Sequence, residues 1–160
     1  MNVMYFKFLD KDQREVQLTY KANTDNPTGN HVLAIPVYQG KLLFTRHKNR
    51  GIEFPGGKRE HGESSIDAIQ RELYEETGAY IEEIQYIAQY TVKTNDASRF
   101  VKDVYFIQVS SLANRTDYLE TDGPCLFTSI EDIPYSERSF LLQDDAILHC
   151  FERVISLGLY

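Results

Sequence analysis

GKREHGESSIDAIQRELYEETGA, running from Gly57 to Ala79, is the stretch on which the reading of this chain turns. From Ser64 to Thr77 it has helical periodicity, with Ile66, Ile69 and Leu73 on one face, Ser64 or Ser65 available as N-cap and Gly78 as terminator. Glu72, Glu75 and Glu76 stand at i, i+3 and i+4, so they adjoin on one surface beside that apolar face, at the edge of the buried side. Three like charges this close repel one another, and near a helix C-terminus they also oppose the macrodipole. Something must compensate. Arg71, four residues before Glu75, can neutralise one carboxylate, and a bound Mg²⁺ or Mn²⁺ would account for the rest, because hard cations take carboxylate oxygen. Taken alone, Glu-x-x-Glu-Glu on a helix reads as a solvated acidic face, so the flanking residues decide.

Outward from the helix, Arg46 to Glu63 is glycine-rich and charged, hence loop, and contains the turn Phe54-Pro55-Gly56-Gly57. Upstream lie two strand-like segments, His31 to Tyr38 and Lys41 to Arg46, joined at Gln39-Gly40 as a hairpin. The turn-rich Ala22 to Asn30 separates these from an N-terminal hairpin, in which Val3 to Leu9 is one strand and Val16, Leu18 and Tyr20 alternate on the other. Downstream, Ile81 to Val92, Phe100 to Val109 and Cys125 to Ile130 are strand-like. A last helix over about Gln143 to Leu157 puts Ile147, Phe151, Val154 and Ile155 on one face. This order predicts a single α/β domain over residues 1–160, folded as an α/β sandwich.

Composition bounds the function. The 160 residues are 42% hydrophobic and 26% charged, as in an ordinary globular domain. No apolar run approaches the roughly 20 residues that span a bilayer, and Met1 to Asp10 lacks the pattern of a secretory signal, so no membrane partner is expected. Cys125 and Cys150 show no metal-like spacing and suit buried thiols in a reducing compartment, which predicts a cytoplasmic protein. A net charge of −7 disfavours bulk DNA or RNA binding. If the ligand is polyanionic, divalent cations must mediate between it and the carboxylates.

The quoted segment resembles the Nudix box, G-x5-E-x7-R-E-U-x-E-E-x-G-U with U apolar: Gly57, Glu63, Arg71, Glu72, Leu73, Glu75, Glu76 and Gly78 stand in register, and Ala79 is smaller than the usual final residue. Chance agreement at the seven single-type positions is on the order of one in 10⁸ per starting point. The resemblance implies a Nudix-type α/β/α sandwich with a mixed central sheet, and a hydrolase of phosphoanhydride bonds. It implies that Glu72, Glu75 and Glu76 bind the metal, with a backbone carbonyl of Gly56 or Gly57 as a further ligand. Glu63 and Arg71 would orient the loop against the helix, and Glu72 would serve as the in-box general base, held by Arg71. Outside the box, Glu120 in YLETDGP is the expected later-loop ligand or base, with Asp122 second. Arg46 and, after it, Arg50 are expected to meet phosphates. Phe54 adjoins the motif and is the aromatic expected to stack a base. His61 falls at a variable box position and is expected to be exposed.

The box does not specify the nucleotide. Thr94 and Asn95 stand where the ADP-ribose branch carries a proline, and Asp96 and Ala97 where the dinucleoside-polyphosphate branch carries a tyrosine. What remains is the MutT-like group, and the chain as a whole is similar to its YtkD-type bacterial members. That implies (deoxy)nucleoside triphosphates as substrates, oxidised forms such as 8-oxo-dGTP included, or the alternative of pyrophosphate removal from an RNA 5′ end. A rival from a different class is a nucleotide-sensing module without catalysis. The intact box opposes that rival.

Overall fold

Val16 and Leu18 are buried while Glu15 and Gln17 are exposed, the period-two pattern of a strand with one covered face. A computed structural model of the protein describes residues 5–94 and 99–160. The expected strand start at Val3 and the marker positions Asn95, Asp96 and Ala97 lie outside the described residues. Strand β1 (Tyr5–Leu9) pairs antiparallel with β2 (Glu15–Tyr20), as expected of the N-terminal hairpin. Its turn is closed by the Asp10 carboxylate, which accepts from the backbone N–H groups of Asp12 and Arg14 and from the Arg14 guanidinium. The hairpin is no separate flap, because β2 also pairs with β7 (Ala79–Lys93) and extends the main sheet.

Strands β3 (His31–Tyr38) and β4 (Lys41–His47) form the expected hairpin at Gln39-Gly40. The segment read as loop carries two short strands, β5 (Gly51–Glu53) and β6 (Gly56–Lys58), which pair with β4 and β3. Helix α1 (Ser65–Thr77) follows, then β7 and β8 (Arg99–Leu112) as a long antiparallel pair. Strand β9 (Thr121–Phe127) returns to pair with β4, and α2 (Asp145–Ser156) closes the described chain. The sheet runs β1-β2-β7-β8-β3-β4-β5, with β6 added to β3 and β9 to β4. Only β3 and β8 pair in parallel among these strands, so the sheet is mixed, as expected.

β3 is buried on both faces because a helix covers each side. Ala68, Ile69 and Leu73 of α1 pack with Val32, Ala34 and Tyr105. Ile147, Phe151 and Val154 of α2 pack with Leu33, Ile35 and Phe44 on the other face. The result is the α/β/α sandwich. Two residues depart from the expected helix faces: Ile66 is 40% exposed and Ile155 is 52% exposed. In α1 the buried residues are Ser65, Ala68, Ile69, Leu73 and Thr77, and Ile66, in the first turn, is left uncovered.

A buried carboxylate ties α1 to the sheet. Asp103 on β8 is fully buried and accepts from the Gly29 N–H and the Ser65 hydroxyl with one oxygen, and from Tyr86 and Gln89 with the other. Ser65 is thus drawn inward, and Ser64 serves as N-cap. Asp103→Ala strands these donors without an acceptor, and should cost roughly 3 kcal/mol of stability in a urea-unfolding measurement.

Candidate functional site

Helix α1 begins with a capping box: the Ser64 hydroxyl accepts from the Asp67 N–H, and the Asp67 carboxylate accepts from the Ser64 N–H. It ends at Gly78, whose φ of 77° lets its N–H turn back to the Tyr74 carbonyl at 2.8 Å. The last turn of α1 holds no basic residue, yet the carbonyls of Tyr74, Glu75 and Glu76 find donors from elsewhere in the chain. Arg115 donates from Nη1 to the carbonyls of Tyr74 and Glu75, both at 2.8 Å. The hydroxyls of Thr45 and Thr121 donate to the Glu76 carbonyl at 3.1 and 3.2 Å. Arg115 lies 40 residues from Glu75, so no local spacing in the sequence points to it.

The three glutamates divide. Glu72 and Glu76 line a cavity of about 560 Å³ together with Arg50, Gly56, Gly57, Lys58, Arg59, Glu60, His61 and Glu120. Glu75 lies about 100° from Glu76 on the helix and faces Arg71 at 3.3 Å instead. Arg71 grips Glu63 with two donors, at 2.7 and 2.9 Å, reaches Glu72 at 2.9 Å, and donates to the Lys58 carbonyl. The guanidinium beside Glu63 holds that carboxyl below its usual range, and the pairing raises the arginine's own pKa. Arg71 therefore binds the glycine loop to the helix and aims Glu72. Gly57 leaves room for this: a Cβ there would stand 2.5 Å from the Glu72 carboxylate.

Burial pushes both cavity carboxyls up. Glu76 rises to about 9, first through burial and then through the neighbouring Glu72, against a hydrogen bond from the Gly56 N–H at 3.0 Å. Glu72 rises through burial, which outweighs Arg71. At Gly56 the contact shown is thus the N–H donated to Glu76. Among the described residues no three acidic, histidine or cysteine side chains converge into a closed metal cage. The donor set nevertheless fits Mg²⁺, which keeps several waters and needs only one or two carboxylates beside substrate phosphate.

The expected residues outside the box are placed unevenly. Glu120 lines the cavity, whereas Asp122 is not among the lining residues. Arg46 is turned away: it pairs with Glu137 at 2.9 Å and does not line the cavity. The reason is strand alternation, because its neighbour Thr45 points toward α1. Arg50, ranked second, is the arginine that reaches the cavity, supported by the buried Glu53 at 3.0 Å. Phe54 is only 4% exposed and stacks on Phe44 with centroids 4.7 Å apart, so it fills the core under α2 and is closed to a base. His61 is exposed at the cavity rim. Lys58 and Arg59, at positions no motif residue marks, also line the cavity, and their adjacency to Gly57 is the sequence signal that points to them.

A half-buried carboxylate pair against a glycine turn, on an α/β/α sandwich, defines a class of site, and comparison with known proteins agrees. Residues 27–144 match the NUDIX domain model, and the chain belongs to that hydrolase family. It is 36% identical over 144 residues, 89% of its length and 90% of the relative's, to YtkD of Bacillus subtilis (strain 168), provisionally named an 8-oxo-dGTP diphosphatase. It superposes on a crystal structure of a mutant of the Bacillus subtilis pyrophosphohydrolase BsRppH with a TM-score of 0.86 and 34% identity, covering 96% of this chain and 98% of that one. A NUDIX hydrolase from Nitrosomonas europaea shares the fold at a TM-score of 0.60 and 23% identity, over 81% of this chain and 90% of that one.

The raised carboxyl of Glu76 has a consequence for stability. In the metal-free native state it holds its proton up to about 9, while an ordinary carboxyl releases it near 4.5. The native state therefore binds more protons between these values, and stability falls as pH rises through that window. Glu76→Gln should flatten the decline in thermal melts recorded in chelator across pH 5 to about 9. Added Mg²⁺ should stabilise the parent increasingly as pH rises, because binding displaces the proton.

Proposed function

We propose that the protein hydrolyses a phosphoanhydride bond in nucleoside and deoxynucleoside triphosphates, oxidised forms such as 8-oxo-dGTP included, with Mg²⁺ as the working cation and Mn²⁺ as a substitute. The observation that carries this reading is one cavity that joins the two half-buried carboxylates of Glu72 and Glu76 to Arg50, Lys58 and Arg59. In a protein of net charge −7, three cations lining the cavity beside Glu72 and Glu76 are a local provision for anionic phosphate.

Glu72, Glu75 and Glu76 would hold the metal, Glu75 once released from Arg71. A bound divalent ion supplies polarisation of phosphoryl oxygen and a more acidic water. The protein's own groups do the rest. Arg71 keeps Glu72 oriented, Arg50, Lys58 and Arg59 bind phosphate oxygens, and Glu72 or Glu120 accepts the proton of the attacking water. Phe54, being in the core, takes no part in base recognition.

Pyrophosphate removal from an RNA 5′ end is a second reading, supported by the likeness to BsRppH over nearly the whole chain. It uses the same phosphate site and differs in what lies beyond the first ribose. No helix among the described residues is long and apolar enough to cross a membrane, and Cys125 and Cys150 are free thiols. We infer from the thiols a reducing, cytoplasmic setting.

The test is kcat/KM with Mg²⁺ for a panel of dNTPs, 8-oxo-dGTP, 5′-triphosphorylated RNA and ADP-ribose. A triphosphate or the RNA should lead; ADP-ribose in front would sink the reading, and nucleotide binding without any product would favour the sensing module. Glu76→Gln should abolish turnover while the folded state survives. Arg50→Ala should raise KM about tenfold through a lost charge-assisted contact, and Arg46→Ala should leave KM unchanged.

A further inference from the structure

We propose that Arg115 is a positioning residue for hydrolysis: it clamps the 113–121 segment onto the last turn of α1 and so fixes Glu120 at the cavity that Glu72 and Glu76 line. The proposal rests on the reading of Glu120 as a group that meets the substrate or its metal.

The clamp has three parts. The first is Nη1 of Arg115, whose two bonds to the Tyr74 and Glu75 carbonyls anchor the segment after β8 to the helix that carries the carboxylates. The second is aromatic: the guanidinium lies 4.7 Å from the Tyr74 ring on α1 and 5.7 Å from the Tyr118 ring on the segment itself. The Arg115 N–H also donates to the Tyr118 hydroxyl at 3.4 Å. The third lies on the far side of Glu120, where the Thr121 hydroxyl donates to the Glu76 carbonyl and the Thr121 N–H to the Tyr118 carbonyl. Lys48 adds its N–H to the Glu120 carbonyl at 3.2 Å.

Between these anchors Leu119 has φ of 62°, a left-handed conformation that leucine rarely adopts. Its side chain is 49% exposed, so packing of that side chain does not hold it there. The Asp117 carboxylate, which accepts from the Leu119 N–H at 2.8 Å, and the anchors on both sides hold it. The strained residue directly precedes Glu120, which lines the cavity with Glu72 and Glu76. A backbone held out of its preferred basin beside a cavity carboxylate is what a positioning device looks like. Arginine suits the task where lysine does not, because one planar group both forks to two carbonyls and stacks on tyrosine.

The test is steady-state kinetics with Mg²⁺ and the triphosphate turned over fastest, on Arg115→Gln, Arg115→Lys, Glu120→Gln, the Arg115→Gln/Glu120→Gln double variant and Leu119→Gly. Arg115→Gln should lower kcat about tenfold with KM little changed, the usual scale for a residue that orients another, and Arg115→Lys should recover part of it. In the Glu120→Gln background the same change should cost nothing further. Leu119→Gly, which leaves every Arg115 bond in place, should lower kcat without lowering Tm. An equal loss from Arg115→Gln in both backgrounds would show that it acts on α1 alone and overturn the positioning role, as would parental kcat in Leu119→Gly. Parental kcat in Glu120→Gln would remove the reading of Glu120 itself, a result separable from the other two.

Discussion

The Glu72 carboxylate occupies the space that any side chain on residue 57 would need, and the structure depends on that contact. A Cβ on residue 57 would push that carboxylate aside, so Gly57 lets Glu72 lie against the turn that precedes α1. Once the helix is that close, Arg71 reaches across to Glu63 and to the Lys58 carbonyl, and the Gly56 N–H reaches Glu76. The cavity is the space left between helix and turn.

Both ends of α1 are tied from distant parts of the chain. At the N-terminus Ser65 meets the buried Asp103 of β8, and at the C-terminus Arg115 and two threonines take up the free carbonyls. A helix secured only by its apolar stripe could rotate by several degrees, and carboxylates on a rotated helix would miss their partners. Polar anchors at the termini remove that freedom.

Electrostatically the site is held in an unfavourable state. Glu72 and Glu76 are partly drawn from water, Arg50 offsets only part of the cost at Glu76, and Arg71 is already shared among Glu63, Glu72 and Glu75. A divalent ion relieves that repulsion and replaces the lost hydration at once. The folded protein thus pre-organises a demand for positive charge, and the cations Arg50, Lys58 and Arg59 add a place for phosphate beside it.

The sequence by itself determined the local matters: α1 and its caps, the β3–β4 hairpin, and the box pattern Gly57, Glu63, Arg71, Glu72, Glu75, Glu76 and Gly78 with its family. These depend on neighbours a few residues apart, where spacing on a helix or turn is itself the geometry. The tertiary structure decided everything that depends on which face of a strand a residue takes and what packs across from it. Strand alternation turned Arg46 to Glu137 and left the cavity to Arg50, while the covering of the sheet by α2 drew Phe54 into the core. It also brought Arg115 and Asp103 onto the two ends of a helix they are far from in the chain. Glu72, Glu75 and Glu76 were one acidic stripe in sequence. Packing split them into two cavity carboxylates and one held aside by Arg71, because only Glu72 and Glu76 share the side of α1 that the glycine turn approaches.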